Sequence, residues 1–181
     1  MTTIALPGRP IRSGTLPTMV TQSSARPRSL TALAVSVAAV VVAAALGGLA
    51  SGSAADDYAR LEQPGFAPPS WVFGPAWTAL YTMMAIAAWL VWRSGAWSQT
   101  RPALTLYAIQ LVLNAAWTPL FFGLGWRGIA LAELSVLLVV LVATVVMFWR
   151  RSRVAGALLV PYLAWSVFAW CLNLAVWQLN S

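Results

Sequence analysis

Apolar residues fill five long runs of this chain, and polar residues are largely confined to the gaps between them. The runs cover about residues 30–51, 71–93, 102–125, 128–149 and 154–179. Each is close to the ~20 residues that an α-helix needs to cross the hydrocarbon core of a bilayer. The gaps carry turn and charge signals: "SGSAADDYARLEQPGFAPPS", "RSGAWSQTRP", "GLGWRG" and "RRSRVAG". The third and fourth runs nearly fuse, which leaves Gly125, Trp126 and Arg127 to make a tight hairpin. Residues 1–29 are rich in Pro, Ser, Thr and Arg with no apolar period, the mark of a disordered basic tail. The pattern therefore predicts an all-α fold, with an integral membrane bundle of five transmembrane helices in residues 30–181.

Span one admits a rival reading. Arginines, an apolar stretch and "GSAAD" resemble a signal peptide with a cleavage site near Ala54. Its apolar length exceeds the ~7–15 residues of such a segment, which favours a retained helix.

Composition agrees with a lipid solvent. Of 181 residues, 60% are hydrophobic and 8% charged, against roughly 25% charged in a soluble domain. The mean hydropathy is +0.77. The net charge of +7 comes entirely from Arg, and the arginines sit at the ends of apolar runs. That placement speaks for orientation in a membrane and against nucleic acid as a partner. Arg9, Arg12, Arg26, Arg28, Arg93, Arg101, Arg150, Arg151 and Arg153 fall on one side; only Arg60 and Arg127 fall on the other, beside Asp56, Asp57 and Glu62. The positive-inside rule then puts the N-terminus inside and the C-terminus outside.

The chemistry available is narrow. There is no His, so the usual proton shuttle and the commonest metal and haem ligand are missing, and no metal site is expected. A single Cys, Cys171, excludes an intramolecular disulfide. Glu133 is the only acid within a span, near its outer end, where it reaches water or Arg127. An ion-coupled carrier would need intramembrane carboxylates with partners.

Eleven tryptophans remain to be explained. Trp71, Trp89, Trp92, Trp97, Trp126, Trp149 and Trp177 lie near span ends, where an interfacial aromatic belt accounts for them. Trp77, Trp117, Trp165 and Trp170 lie deeper. At ~1.5 Å per residue, Trp77 sits roughly 10 Å below the outer end of span two, Trp117 at a similar depth in span three, and Trp165 ~20 Å down in span five. Helical spacing gathers these rings into stripes: Phe73, Trp77 and Tyr81; Gln110, Asn114, Trp117 and Phe121; Trp165, Ala169 and Asn173. Amides facing hydrocarbon cost several kcal/mol, so the stripes must face protein, water or ligand. Two readings fit: interhelical hydrogen bonds and packing, or a pocket for a flat, largely apolar molecule.

"PGFAPPSWVFGPAWTALY" leads into span two. Its prolines cannot extend the helix backwards, Ser70 can cap it, and Pro75 falls in its first turn. Gly74 leaves room for a close neighbour. The stiff loop suits a lid over an outer pocket.

"PPSWVFGPAWTALY", "NAAWTPLFFG" and "VPYLAWSVFAWCLN" resemble the TspO/translocator protein family, whose members are also called tryptophan-rich sensory proteins or peripheral-type benzodiazepine receptors. The likeness spans about residues 31–180 on three separate spans. It implies a five-helix bundle, a homodimer, and a pocket beneath the first outer loop for porphyrin, haem or other flat apolar ligands. The ligand is held without covalent attachment. Bacterial members look like sensors or regulators of tetrapyrrole levels, which implies a bacterial cell membrane here. Carried over by motif, Trp77 and Trp165 match the two pocket tryptophans; Tyr58, Pro68, Tyr81, Asn114, Trp117 and Ala169 match other pocket positions. Phe121 and Asn173 complete the ligand-binding candidates. The sterol-recognition pattern of animal members is absent from "CLNLAVWQLN", so sterol binding is not inherited.

Three functions follow for comparison. The first is a tetrapyrrole-binding sensor or transport protein, with Asn114 or Asn173 orienting the ligand's polar edge. The second is a light-dependent porphyrin-degrading enzyme, with Trp77 and Trp165 as the catalytic candidates, since no acid–base or thiolate constellation exists. The third is a membrane interaction protein without ligand, associating through Gly48 and Gly52 or through Ala103, Ala108 and Ala115.

Overall fold

A computed structural model describes residues 54–181 and, before them, only positions 38 and 41. The expected tail, span one with its cleavage question, and Gly48 and Gly52 lie outside the described residues. The remainder is helical: α1 (Ala54–Arg60), a 3-10 turn (Ser70–Val72), α2 (Phe73–Arg93), α3 (Trp97–Thr118), a π turn (Pro119–Gly123), α4 (Arg127–Arg151) and α5 (Arg153–Leu179). Four of these helices are long and apolar enough to cross a membrane.

Their surface is inside-out by the standard of a soluble protein. Val112 and Val139, in the middles of α3 and α4, are 68% and 72% exposed. A water-facing helix puts polar residues at such positions; this one meets acyl chains. The chain is an integral membrane protein.

Helix boundaries follow local chemistry. α4 and α5 are separated by Ser152 alone, whose extended backbone (φ −154°, ψ 118°) breaks the helix and whose Oγ accepts from the Ala155 N–H at 3.3 Å. At the opposite end Gly125 has φ +66°, a value that favours glycine, and closes the expected hairpin. α3 begins at Trp97, five residues before the expected 102. Its first turn is wound tightly, with the N–H groups of Gln99 and Thr100 both donating to the Ala96 carbonyl. Pro102 follows in the second turn, where the cost of one missing donor is borne close to a helix end. α1 replaces part of the expected loop; Asp56 and Asp57 in its first turn and Arg60 in its last suit the helix dipole.

One expectation about the start of α2 fails. Ser70 does not cap it: Ser70 opens the 3-10 turn, and Val72 precedes α2 without a side-chain cap. Among the described residues Gly74 has no close neighbour, since a Cβ there would meet none of them within 4 Å. Pro75 does lie in the first turn.

In the bundle, α5 packs along both α4 and α2, and α3 packs along α4 and, less closely, α2; α2 and α4 lie across the diagonal and barely touch. The half nearer Arg93 and Arg101 is solid. Small and aliphatic side chains fill it: Met84, Ala87 and Val91 from α2, Ala103 from α3, Leu141 from α4 and Leu159 from α5. Ala103 therefore belongs to the core, not to an association face with the exposed Ala108. Gly156 lets α5 approach α4 closely: a Cβ there would lie 2.6 Å from Trp149 Cε3 and 2.8 Å from its Cα. Because one of those atoms is backbone, Gly156→Ala is expected to force the helices apart and cost about 1–3 kcal/mol. Thermal unfolding in detergent checks it, and an unchanged midpoint would refute the close approach.

Candidate functional site

The other half of the bundle is hollow. A cavity of about 420 Å³ opens where α2 and α4 diverge, within the range of sites for drug-sized molecules. α2 contributes Phe73, Trp77 and Tyr81; α3 contributes Asn114 and Trp117, and the π turn Phe121 and Phe122. Leu134 and Leu137 of α4 form the far wall. α5 lines the remaining side with Trp165, Phe168, Ala169 and Asn173, and Tyr58 of α1 reaches in from above.

The aromatic rings contact one another edge to face. Trp165 lies 6.5 Å from Trp77 at 78° and 5.9 Å from Phe73 at 80°. Trp77 tilts over Tyr81 at 5.1 Å. Across the cavity Trp117 stacks on Phe121 at 4.9 Å and 23°. The π turn makes this possible. Pro119 brings no N–H, and the Leu124 N–H donates to the Pro119 carbonyl at 2.9 Å, an i→i+5 bond that inserts a residue into the turn. Phe121 and Phe122 then both reach the lining. The paired "PLFF" was the only sequence signal for this.

Polar groups divide between structure and cavity. Asn173, 1% exposed, accepts from Trp117 Nε1 at 3.0 Å and donates through Nδ2 to the Arg127 carbonyl at 3.0 Å. It ties α3, α4 and α5 together, so its amide is committed to the protein and not to a ligand's polar edge. Asn114 accepts from the Tyr81 hydroxyl at 2.9 Å through Oδ1 and lines the cavity. Trp170 is no part of the site: its Nε1 donates to Ser135 Oγ at 2.8 Å and fastens α5 to α4. Glu133 does not pair with Arg127, and neither of its buried oxygens has a hydrogen-bond partner among the described residues. Residues six apart lie on different helix faces, whereas partners need spacings of three or four.

The roof is the segment between α1 and α2. The Tyr58 hydroxyl donates to the Pro68 carbonyl at 3.3 Å, and its ring stands edge-on to Phe73 at 5.4 Å. Burial pushes the Tyr58 hydroxyl pKa up, so it stays a donor through the neutral range. Asn180, beyond α5, grips the same segment: its Oδ1 accepts from the Glu62 N–H at 3.0 Å and its Nδ2 donates to the Glu62 carbonyl at 2.9 Å. This two-way clasp mimics a backbone pairing. No periodic pattern in the sequence marked it.

Nine of the ten sequence candidates thus surround one space: Tyr58, Trp77, Tyr81, Asn114, Trp117, Phe121, Trp165, Ala169 and Asn173. Pro68 lies apart, on an outward groove with Ala76, Ala79 and Ala164, separated from the cavity by Trp165 and Phe168. Sequence reasoning missed Phe122, Phe168, Leu134 and Leu137. The two leucines carry no signal that separates a cavity wall from ordinary packing.

Known proteins resemble this chain over most of its length. Residues 35–178 match the TspO/MBR family. The human "Translocator protein" is 42% identical over 125 residues, 68% of this chain and 74% of the human one. "Protein CrtK" of Rhodobacter capsulatus is 38% identical over 155 residues, 84% of this chain and 94% of its own. The "Tryptophan-rich sensory protein" of Cereibacter sphaeroides is 42% identical over 123 residues, 68% of this chain and 76% of its own. With its membrane-spanning helices in place and most of its length matched, the chain belongs to the TspO/MBR family.

Proposed function

We propose that this chain is a membrane sensory or transport protein whose ligand is a tetrapyrrole, a porphyrin or haem held without covalent attachment. The single observation that carries the reading is the cavity itself. Indoles from three helices, Trp77, Trp117 and Trp165, surround one space whose lining is mostly apolar, with the Asn114 amide at its side. Aromatic faces suit a flat conjugated ring, and a few placed polar groups set its orientation. Relatives named for translocation and for sensing support a sensory or transport role at the membrane.

The reading extends to topology. Arg93, Arg101, Arg150, Arg151 and Arg153 gather at the solid end of the bundle, while Arg127 and Arg60 lie at the cavity end. By the positive-inside rule the cavity faces outward, the N-terminus is inside and the C-terminus outside, in a bacterial cell membrane. A homodimer through lipid-facing helix surfaces belongs to the same proposal.

Titration of the purified protein with protoporphyrin in darkness, followed by tryptophan fluorescence, tests it. Saturable quenching is expected, and Trp165→Phe with Asn114→Ala should weaken binding at least tenfold, about 1.4 kcal/mol. Unchanged affinity in that double variant would place the ligand elsewhere. Illuminating the complex then separates holding from breakdown. A new absorbing product that is lost in Trp77→Phe and Trp165→Phe would make the protein an enzyme; equal bleaching in both variants would not.

A further inference from the structure

A second hollow lies back to back with the aromatic cavity, on the outward side of the bundle. It is a groove of about 550 Å³ between α2 and α5, with small side chains along it: Ala76 and Ala79 from α2 and Ala164 from α5. Among the described residues nothing covers Ala79 or Ala164, and both are exposed. Trp165 and Phe168 line the groove and the cavity alike. The partition between the two spaces is therefore one layer of aromatic rings, carried by two side chains three residues apart on α5.

This partition is held differently from the other deep indoles. Trp117 and Trp170 are pinned through Nε1, to Asn173 and Ser135. Trp165 is held by ring contacts with Phe73, Trp77 and, at 5.6 Å, Phe168. Ring contacts are weak and tolerate several geometries, so a rotation that exchanges them costs less than breaking a hydrogen bond away from water. The alanines of the groove leave a rotated ring somewhere to go. Pro161, which also lines the groove, has no N–H for the Ala157 carbonyl, so α5 lacks one rung a turn before Trp165.

The roof offers the opposite. The Tyr58 bond to Pro68 and the two-way clasp of Asn180 on Glu62 tie it down, and Phe66 of the roof stands edge-on to Phe168. A flat apolar molecule is also far more concentrated in hydrocarbon than in water, because leaving water removes its apolar area from solvent. Supply and least resistance lie on the same side.

We propose that the groove between α2 and α5 is a lateral portal, through which a flat apolar ligand passes between the bilayer and the cavity while Trp165 and Phe168 swing aside. The proposal rests on the tetrapyrrole reading of the cavity and adds the route by which that site fills. The ligand then arrives from the lipid without crossing the roof.

Stopped-flow mixing of protoporphyrin with the full chain in phosphatidylcholine nanodiscs, in darkness and read at the porphyrin absorption band, tests it. Ala79→Phe and Ala164→Phe put a ring into the groove from opposite walls and outside the cavity, and either suffices if the other fails to fold. Each should slow association and dissociation by the same factor, on the order of tenfold, and leave the affinity where it was; a lost contact would instead speed dissociation alone. The unfolding midpoint should stay at the wild-type value. Asn180→Ala frees the roof clasp and should leave both rates unchanged. Wild-type rates in the groove variants overturn the portal, and together with a lowered midpoint they show that another part of the chain fills the groove. Faster exchange in Asn180→Ala overturns it in favour of entry through the roof. Absence of protoporphyrin binding in the wild type overturns the tetrapyrrole reading, and the portal with it.

Discussion

Asn173→Leu should lower the unfolding midpoint of the detergent-solubilised protein by roughly 6–12 °C, the shift that about 3 kcal/mol produces in a chain of this size. The side chain is close in volume but cannot pair. It leaves Trp117 Nε1 without its acceptor and takes from the Arg127 carbonyl the donor that joins α5 to α4. A buried group left unsatisfied costs about 1–3 kcal/mol, and the orphaned indole together with the lost bond to the carbonyl accounts for the magnitude. A double-mutant cycle isolates the cause. In Trp117→Phe the indole N–H is gone, so adding Asn173→Leu should cost clearly less than it does alone. Strict additivity, or a single variant as stable as wild type, would show that Asn173 does not hold the three helices together. Interhelical hydrogen bonds inside membranes average about 1 kcal/mol or less. The larger figure here comes from one amide serving two partners on two helices.

The largest effect on binding is expected from Ala169→Trp. Ala169 lines the cavity from α5, between Trp165 and Asn173, and its methyl leaves open space in front of it. An indole there enters that space, so the fold should survive while the site fills. Affinity for protoporphyrin should fall on the order of a hundredfold, about 2.7 kcal/mol. Ala164→Trp supplies the control: Ala164 is on the same helix but lines the outward groove, exposed, on the other side of Trp165. The control should leave affinity unchanged. Equal loss in both variants, or none in Ala169→Trp, would mean that the ligand does not occupy this cavity.

Much of the site was legible because helices repeat every 3.6 residues. Phe73, Trp77 and Tyr81 share a face whatever surrounds them, and so do Gln110, Asn114 and Trp117. The uses of the amides were not legible. Asn114 and Asn173 look alike as polar residues in apolar spans, yet one edges the cavity and the other is wholly engaged in bracing. Which it is depends on the neighbouring helix, and a single periodicity carries no record of neighbours. Trp170 and Trp165 illustrate the same limit, being five residues apart and turned to different partners. Of the two partners expected for Glu133, water or Arg127, the Arg127 pairing failed on helix geometry. The start of α3 was misplaced because "WSQT" is polar enough to pass for loop, although a helix end in the headgroup region tolerates polar side chains.

Read alone, the chain determined its solvent, since so few charges cannot cover a water-soluble surface, and it determined where α2, α4 and α5 begin and end, since arginines and glycine punctuate runs of bilayer length. It also determined which faces carry aromatic rings. Only the tertiary structure decided that those faces meet in a hollow. The order of helices around the bundle leaves α2 and α4 across the diagonal, and at one end small side chains close the gap while at the other bulky rings prop it open. That outcome depends on contacts between residues far apart in the chain, which local pattern does not encode.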